Sequence, residues 1–133
     1  HPTQREKMAI RAGHTTSRDA TTFYEVQERF AGYAALKVLP KTGRTHQIRV
    51  HLAHIRCPVL CDKLYGGRAS ITRGELLRLK RPDSGSDETA LTRQALHARR
   101  IKLTHPATGN PIEFTAPLPD DLNSVLTILR DQP

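Results

Sequence analysis

Gly43 and Pro58 bracket the stretch that most limits what this chain can become. The turn Lys41-Thr42-Gly43 releases the chain into a helix-forming run. Pro58 stops that run, because proline lacks an N–H and clashes with the preceding turn. Thr45 is the expected N-cap, and the helix is predicted to reach about Ile55. At about 100° per residue, Ile48, Leu52 and Ile55 share one stripe, and His46, Arg49, Val50 and Ala53 fill an adjoining face. The helix is therefore expected to be buried on more than one side, with Arg49 at the edge of the apolar stripe. Arg44, Thr45, His46 and Gln47 gather at its start, where orphan N–H groups and the helix dipole already favour an anion.

Charge extends that preference to the whole surface. The chain carries 21 Lys and Arg against 13 Asp and Glu, a net charge of +8, in 133 residues spread without a basic tail. A folded surface of this kind favours a nucleic acid, with an acidic lipid surface the weaker option. Three phenylalanines, three tyrosines and no tryptophan argue against a binder that stacks bases on aromatic platforms. No apolar run approaches the length of a membrane span, and the start does not resemble a signal peptide, so no membrane partner is expected. His1 in place of Met leads us to expect a piece excised from something longer. Two cysteines, Cys57 and Cys61, make no disulfide framework and fit a reducing, cytoplasmic setting.

Residues 1–19 read as a polar arm, with a short strand around Met8-Ala9-Ile10. Strands are predicted over Ala20 to Phe30 and Tyr33 to Leu39, joined as a hairpin at Ala31-Gly32 and ended by Pro40. Alternation places Tyr24, Val26 and Phe30 on one side and Glu25, Gln27 and Arg29 on the other. Residues 68–92 read as a variable loop region with a short helix over Arg73 to Leu79, and Arg81 to Asp87 is expected to be its most mobile part. Leu96 to Thr104 and Pro111 to Ala116 form a predicted closing hairpin. A terminal helix from about Asp120 places Leu122, Val125, Leu126 and Leu129 at i, i+3, i+4, i+7. The order predicts an α+β domain: a mostly antiparallel mixed sheet with flanking helices.

The basic helix start has two readings that spacing leaves open, a solvated basic face or a set of phosphate and base contacts. His51, His54, Cys57 and Cys61 have ligand types and spacings that zinc accepts, with the two histidines about 60° apart on a helix. Pro58 and Leu60 interrupt that set, and packed cysteines with hydrogen-bonded histidines are the preferred reading, so no metal is expected. Ser70, Ser84 and Ser86 lack a nucleophile-elbow pattern, and Asp120 and Asp121 read as a helix start.

The run TGRTHQIRVHLAHIRCPVLCDKLYGG from Thr42 resembles a signature of the RluA-type pseudouridine synthases. HPTQREKMAI and RDATTFYEV upstream, and RQALHARRIKLTHPATGNPIEFTAPLPDDL downstream, extend the likeness over nearly the whole chain, most closely to the RluD-like branch. That resemblance implies the C-terminal portion (1–133) of a pseudouridine synthase catalytic domain. It also implies isomerisation of uridine to pseudouridine in large-subunit ribosomal RNA without cofactor or metal. The family breaks the N-glycosidic bond, rotates the base and rejoins it through carbon, using an aspartate from an HRLD-type motif and a tyrosine from a later segment; neither motif is present here.

By the same resemblance, Arg49 matches the arginine that pairs with the catalytic aspartate and Ile48 the apolar residue beside the target base. Lys41, Arg44, Thr45, His46 and Gln47 are then expected to meet RNA. Asp62 falls in a structural G-D-x-x-Y-G segment, where Cys61 and, earlier, Arg56 stand in place of the family's glycines. On this reading the carboxylate for Arg49 lies upstream of His1 and the isolated segment is inactive. The competing readings are a stand-alone, non-catalytic RNA-binding module and a zinc-stabilised interaction domain.

Overall fold

The computed structural model describes residues 5–10 and 19–131, so much of the expected N-terminal arm, 1–4 and 11–18, lies outside the described residues. The chain divides into two compact units, His1–Arg68 and Ala69–Pro133.

In the first unit, β1 (Arg5–Ile10), β2 (Ala20–Phe30) and β3 (Tyr33–Pro40) form an antiparallel sheet in that order. The β2–β3 hairpin turns on Ala31-Gly32, with Phe30 paired to Tyr33 and Gly32 at a φ of 83°, which an L side chain resists. The Tyr24 hydroxyl donates to Glu6 Oε2 at 2.6 Å, across the pair Glu6–Tyr24.

Strict alternation fails beyond Val26. Val26 pairs with Leu36 but Glu28 with Ala35, so Gln27 is an extra residue in a bulge. One inserted residue inverts the parity that follows. Phe30, paired with Tyr33, therefore lies on the face opposite Tyr24 and Val26, not beside them as alternation assigns it.

Two helices complete the unit, α1 (Gln47–His54) and the single turn α2 (Lys63–Gly66). Helix α1 begins one residue later than expected. Its N-cap is His46, held in the left-handed region at φ 51° with no side-chain cap, rather than Thr45. Its buried positions also differ from the expected stripe: Gln47, His51 and Leu52 are buried, Ile48 is half-buried, and Ile55 is 41% exposed. Polar residues can occupy that face because β2 supplies their hydrogen-bond partners, as described below. At the C-terminus Cys57 N donates to Leu52 O and Arg56 N to Ala53 O, the two bonds of a Schellman closure, with Arg56 left-handed at φ 63°.

The second unit is built on β4 (Ile71–Thr72), the single turn α3 (Arg73–Leu76) and β5 (Thr89–Leu91), with β4 and β5 antiparallel. The hairpin of β6 (Arg100–Thr104) and β7 (Pro111–Thr115) follows, and α4 (Asp120–Arg130) closes the unit. Helix α3 is shorter than the expected Arg73 to Leu79. A capping box links Thr72 and Glu75 at its start, and a second Schellman closure, with Arg78 at φ 56°, ends it.

The segment expected to be most mobile is tied down. Arg73 Nη1 reaches Asp83 at 2.8 Å, Gly74 N donates to Ser86 O at 2.8 Å, and Arg73 N to Glu88 O at 2.9 Å. Helix α4 follows its predicted periodicity, burying Leu122, Val125 and Leu129 on β5 and α3, where Ile71, Leu76 and Leu91 complete the core. Each such side chain contributes about 1.5–3 kcal/mol on full burial.

All described ladders are antiparallel, in three separate sheets, so the α+β class holds. No helix among the described residues is long and apolar enough to cross a membrane.

Candidate active site

Gln47 locks the turn to the sheet. Its Oε1 accepts from Thr42 Oγ1 at 2.6 Å and from Arg44 N at 3.1 Å. Its amide nitrogen donates to Thr21 O and Thr22 Oγ1, both at 2.9 Å. Both amide hydrogens and both lone-pair directions are thereby used, and the residue is buried. Gln47, expected to meet RNA, thus spends its hydrogen bonds within the chain and fixes the turn that carries Arg44, Thr45 and His46, which are exposed.

One turn further, His51 is buried with Nδ1 2.7 Å from Thr22 Oγ1. That hydroxyl also accepts from the Gln47 amide, so Thr22 serves both helix side chains at once. Burial pushes the His51 pKa below the ordinary histidine value, and neighbouring His54 adds to the effect. The potential zinc set is accordingly dispersed: His51 faces Thr22, His54 and Cys57 are exposed, and Cys61 is buried. No group of three metal-capable side chains converges among the described residues.

Arg49 lies on the same helix, half-buried, and it has a carboxylate partner within this chain. Its Nε donates to Asp62 Oδ2 at 2.7 Å and its Nη2 to Oδ1 at 2.9 Å. The partner comes from the segment read as structural, not from a nucleophile motif. The Asp62 side chain is 0% exposed against 17% for Arg49, and Asp62 Oδ1 also accepts from Leu64 N and Tyr65 N at 3.2 Å, capping α2. The Arg49 hydrogen bonds hold the Asp62 carboxyl below the usual carboxylate range against the opposing effect of burial, and Asp62 in turn raises Arg49.

Tyr65 covers the guanidinium from one face, 5.1 Å from ring centroid to Cζ. Its hydroxyl oxygen lies 3.1 Å from His46 Nδ1, and the two rings meet edge to face at 5.9 Å. Asp62 and Tyr65 were legible only as a turn segment. Between Arg49 and Asp62 lie a helix end, Pro58 and two left-handed residues, Arg56 and Cys61, so spacing alone carries no sign that they meet.

The remaining expected contacts divide by exposure. The Lys41 ammonium sits 5.7 Å over the Phe23 ring while staying exposed, and Ile48 is half-buried beside the arginine. Arg44, Thr45 and His46 are likewise exposed, and His46 reaches the Tyr65 that packs against the Arg49 guanidinium.

Residues 3–54, which include Arg49, match the family model described as RNA pseudouridylate synthase. The chain is 45% identical over 136 residues to the ribosomal large subunit pseudouridine synthase D of Haemophilus ducreyi. It is 43% identical over 131 residues to that of Xanthomonas campestris pv. campestris and 38% over 136 residues to that of Escherichia coli K12. Each alignment takes in 98% of this chain and only 37% or 38% of the relative. Along nearly its whole length, through both of its units, the chain is similar to these pseudouridine synthases, and residues 3–54 carry the match to the RNA pseudouridylate synthase model.

Proposed function

We propose that this chain supplies the arginine-bearing part of an RNA pseudouridine synthase that isomerises uridine in large-subunit ribosomal RNA. The relatives it aligns with along 98% of its length are named for that activity. The observation that carries the reading is the state of Arg49. One edge of its guanidinium is held by Asp62, one face is covered by Tyr65, and Nη1 makes no hydrogen bond among the described residues.

Asp62 itself is unsuited to attack a base. Its side chain is inaccessible and its oxygens accept four hydrogen bonds. On this reading the reactive aspartate belongs to the HRLD-type motif, which is not part of this chain, and Arg49 keeps it ionised and oriented through charge-assisted hydrogen bonds. Ile48 lies beside the target base. Lys41, Arg44, Thr45 and His46 hold the flanking phosphates, offsetting the few kcal/mol needed to take the uridine out of its stack. The isomerisation needs neither cofactor nor metal, and an RNA substrate together with two cysteines outside any disulfide fits a cytoplasmic setting.

The test is pseudouridine formation on large-subunit ribosomal RNA by the complete protein that carries this chain, with and without Arg49→Ala. Turnover is expected to be abolished with RNA affinity reduced only modestly. Near-normal turnover in the variant would sink the assignment.

A further inference from the structure

A guanidinium has five N–H donors in one plane. Asp62 takes Nε–H and one Nη2–H from the side, leaving the second Nη2–H and one Nη1–H along the end-on edge and the other Nη1–H on the Cδ side. The end-on edge has the geometry of a second bidentate carboxylate site. The guanidinium cannot pivot freely to choose between the two edges. Tyr65 covers its face, and Asp62 is fixed by its bonds to Leu64 N and Tyr65 N.

Stability alone does not account for the charge on Asp62. An asparagine caps a helix start as well as an aspartate does, and a buried ion pair is a poor source of stability compared with apolar packing. The ionised form serves Arg49.

We propose that Asp62 is a positioning residue for the reaction: it grips Arg49 side-on, so that the end-on Nη1/Nη2 edge of the guanidinium is aimed at the reactive carboxylate. The proposal rests on the function proposed above. Arg49 then bridges two carboxylates, one buried and inert, the other reactive. The second negative charge also moderates the first effect of the arginine, leaving the reactive carboxylate more basic than it would be beside an uncompensated guanidinium.

The experiment measures pseudouridine formation against pH in the complete protein carrying this chain, for wild type, Asp62→Asn, Asp62→Glu and Arg49→Ala. In Asp62→Asn, kcat is expected to fall by about a hundredfold, the scale of a misplacement of about 1 Å, with KM for RNA little changed. Its acid limb should move to lower pH, because the guanidinium charge is no longer shared. Asp62→Glu keeps the charge but displaces the guanidinium by a methylene, so kcat should fall while the acid limb stays in place. A merely structural role would leave the acid limb of Asp62→Asn in place.

Wild-type kcat and an unmoved acid limb in Asp62→Asn overturn the proposal. If that variant does not fold, wild-type kcat in Asp62→Glu overturns it instead. Arg49→Ala separates the two levels: an inactive Arg49→Ala beside a fully active Asp62→Asn removes the role of Asp62 and keeps the pseudouridine synthase reading. An active Arg49→Ala removes that reading itself.

Discussion

Thr22 on β2 and His51 on α1 join helix to sheet through a single contact of 2.7 Å between Oγ1 and Nδ1. Thr22 is wholly buried, and the same hydroxyl accepts from Gln47, so one threonine satisfies two polar side chains of the helix. Thr22→Val keeps the shape and leaves an imidazole nitrogen and an amide hydrogen without a partner. The expected cost is about 2–3 kcal/mol, read as a lower urea midpoint with an unchanged m-value. An unaltered midpoint would mean the contact contributes nothing.

Stability should also fall in acid for a reason located at His51. Its folded pKa is depressed, first by burial and then by His54, below the ordinary value of 6.5. Below that value the unfolded chain binds a proton that the fold refuses. Stability is therefore complete above about pH 6.5 and declines as pH falls toward the folded pKa. Asp62, depressed below 3.8 by its bonds to Arg49, adds a second decline at more acid pH, with the same sign. In His51→Gln the first decline should vanish and the second remain. Urea titrations at several pH values distinguish them.

Arg56 and Cys61 occupy left-handed backbone at φ 63° and 59°. Arg56 is exposed and sits at the position of a Schellman closure that favours glycine, so Arg56→Gly should stabilise by about 0.5–1 kcal/mol. Cys61→Gly gains the same relief but removes a buried thiol that is 5% exposed, so its gain should be smaller or reversed. Thermal melts of both variants give the ordering. A destabilised Arg56→Gly would show that the arginine side chain outweighs the strain.

Gly74 poses the opposite case. A Cβ there would meet Ser86 O at 2.9 Å and Ser86 Cβ at 3.1 Å. Alanine is favoured over glycine in a helix by about 1 kcal/mol, but the clash is with a backbone carbonyl that also accepts from Gly74 N at 2.8 Å. The clash should win. Gly74→Ala is expected to destabilise by about 1–3 kcal/mol and to free the loop from α3, visible as faster amide exchange at Gly74.

With a net charge of +8, RNA binding should weaken steeply with salt. Arg44→Ala should reduce the slope of log K against log salt by about 0.7–0.9, the share of one phosphate contact. Gln47→Ala should act differently, lowering stability through its four lost hydrogen bonds with no matching change in slope. A flat salt response would remove the phosphate-facing surface.

What the sequence determined by itself is what depends on neighbours in the chain. The β2–β3 hairpin follows from two β-rich runs and a two-residue turn, and α4 from the spacing of Leu122, Val125 and Leu129. The Thr72–Glu75 capping box was equally local, and Thr-x-x-Glu was its readable sign. Arg49 could be singled out from a motif before its partner was known.

Tertiary structure decided the rest, because the partners are remote. Gln47 and His51 are buried on α1 only because Thr22 waits 25 and 29 residues upstream, and without it both would belong on the surface. The bulge at Gln27 reverses the face of Phe30 through pairing with another strand. Asp62 comes to Arg49 from 13 residues away through two left-handed residues whose side chains argue against such a backbone. Periodicity reports how a segment meets a generic interior; which polar atoms are satisfied there is settled only when the segments meet.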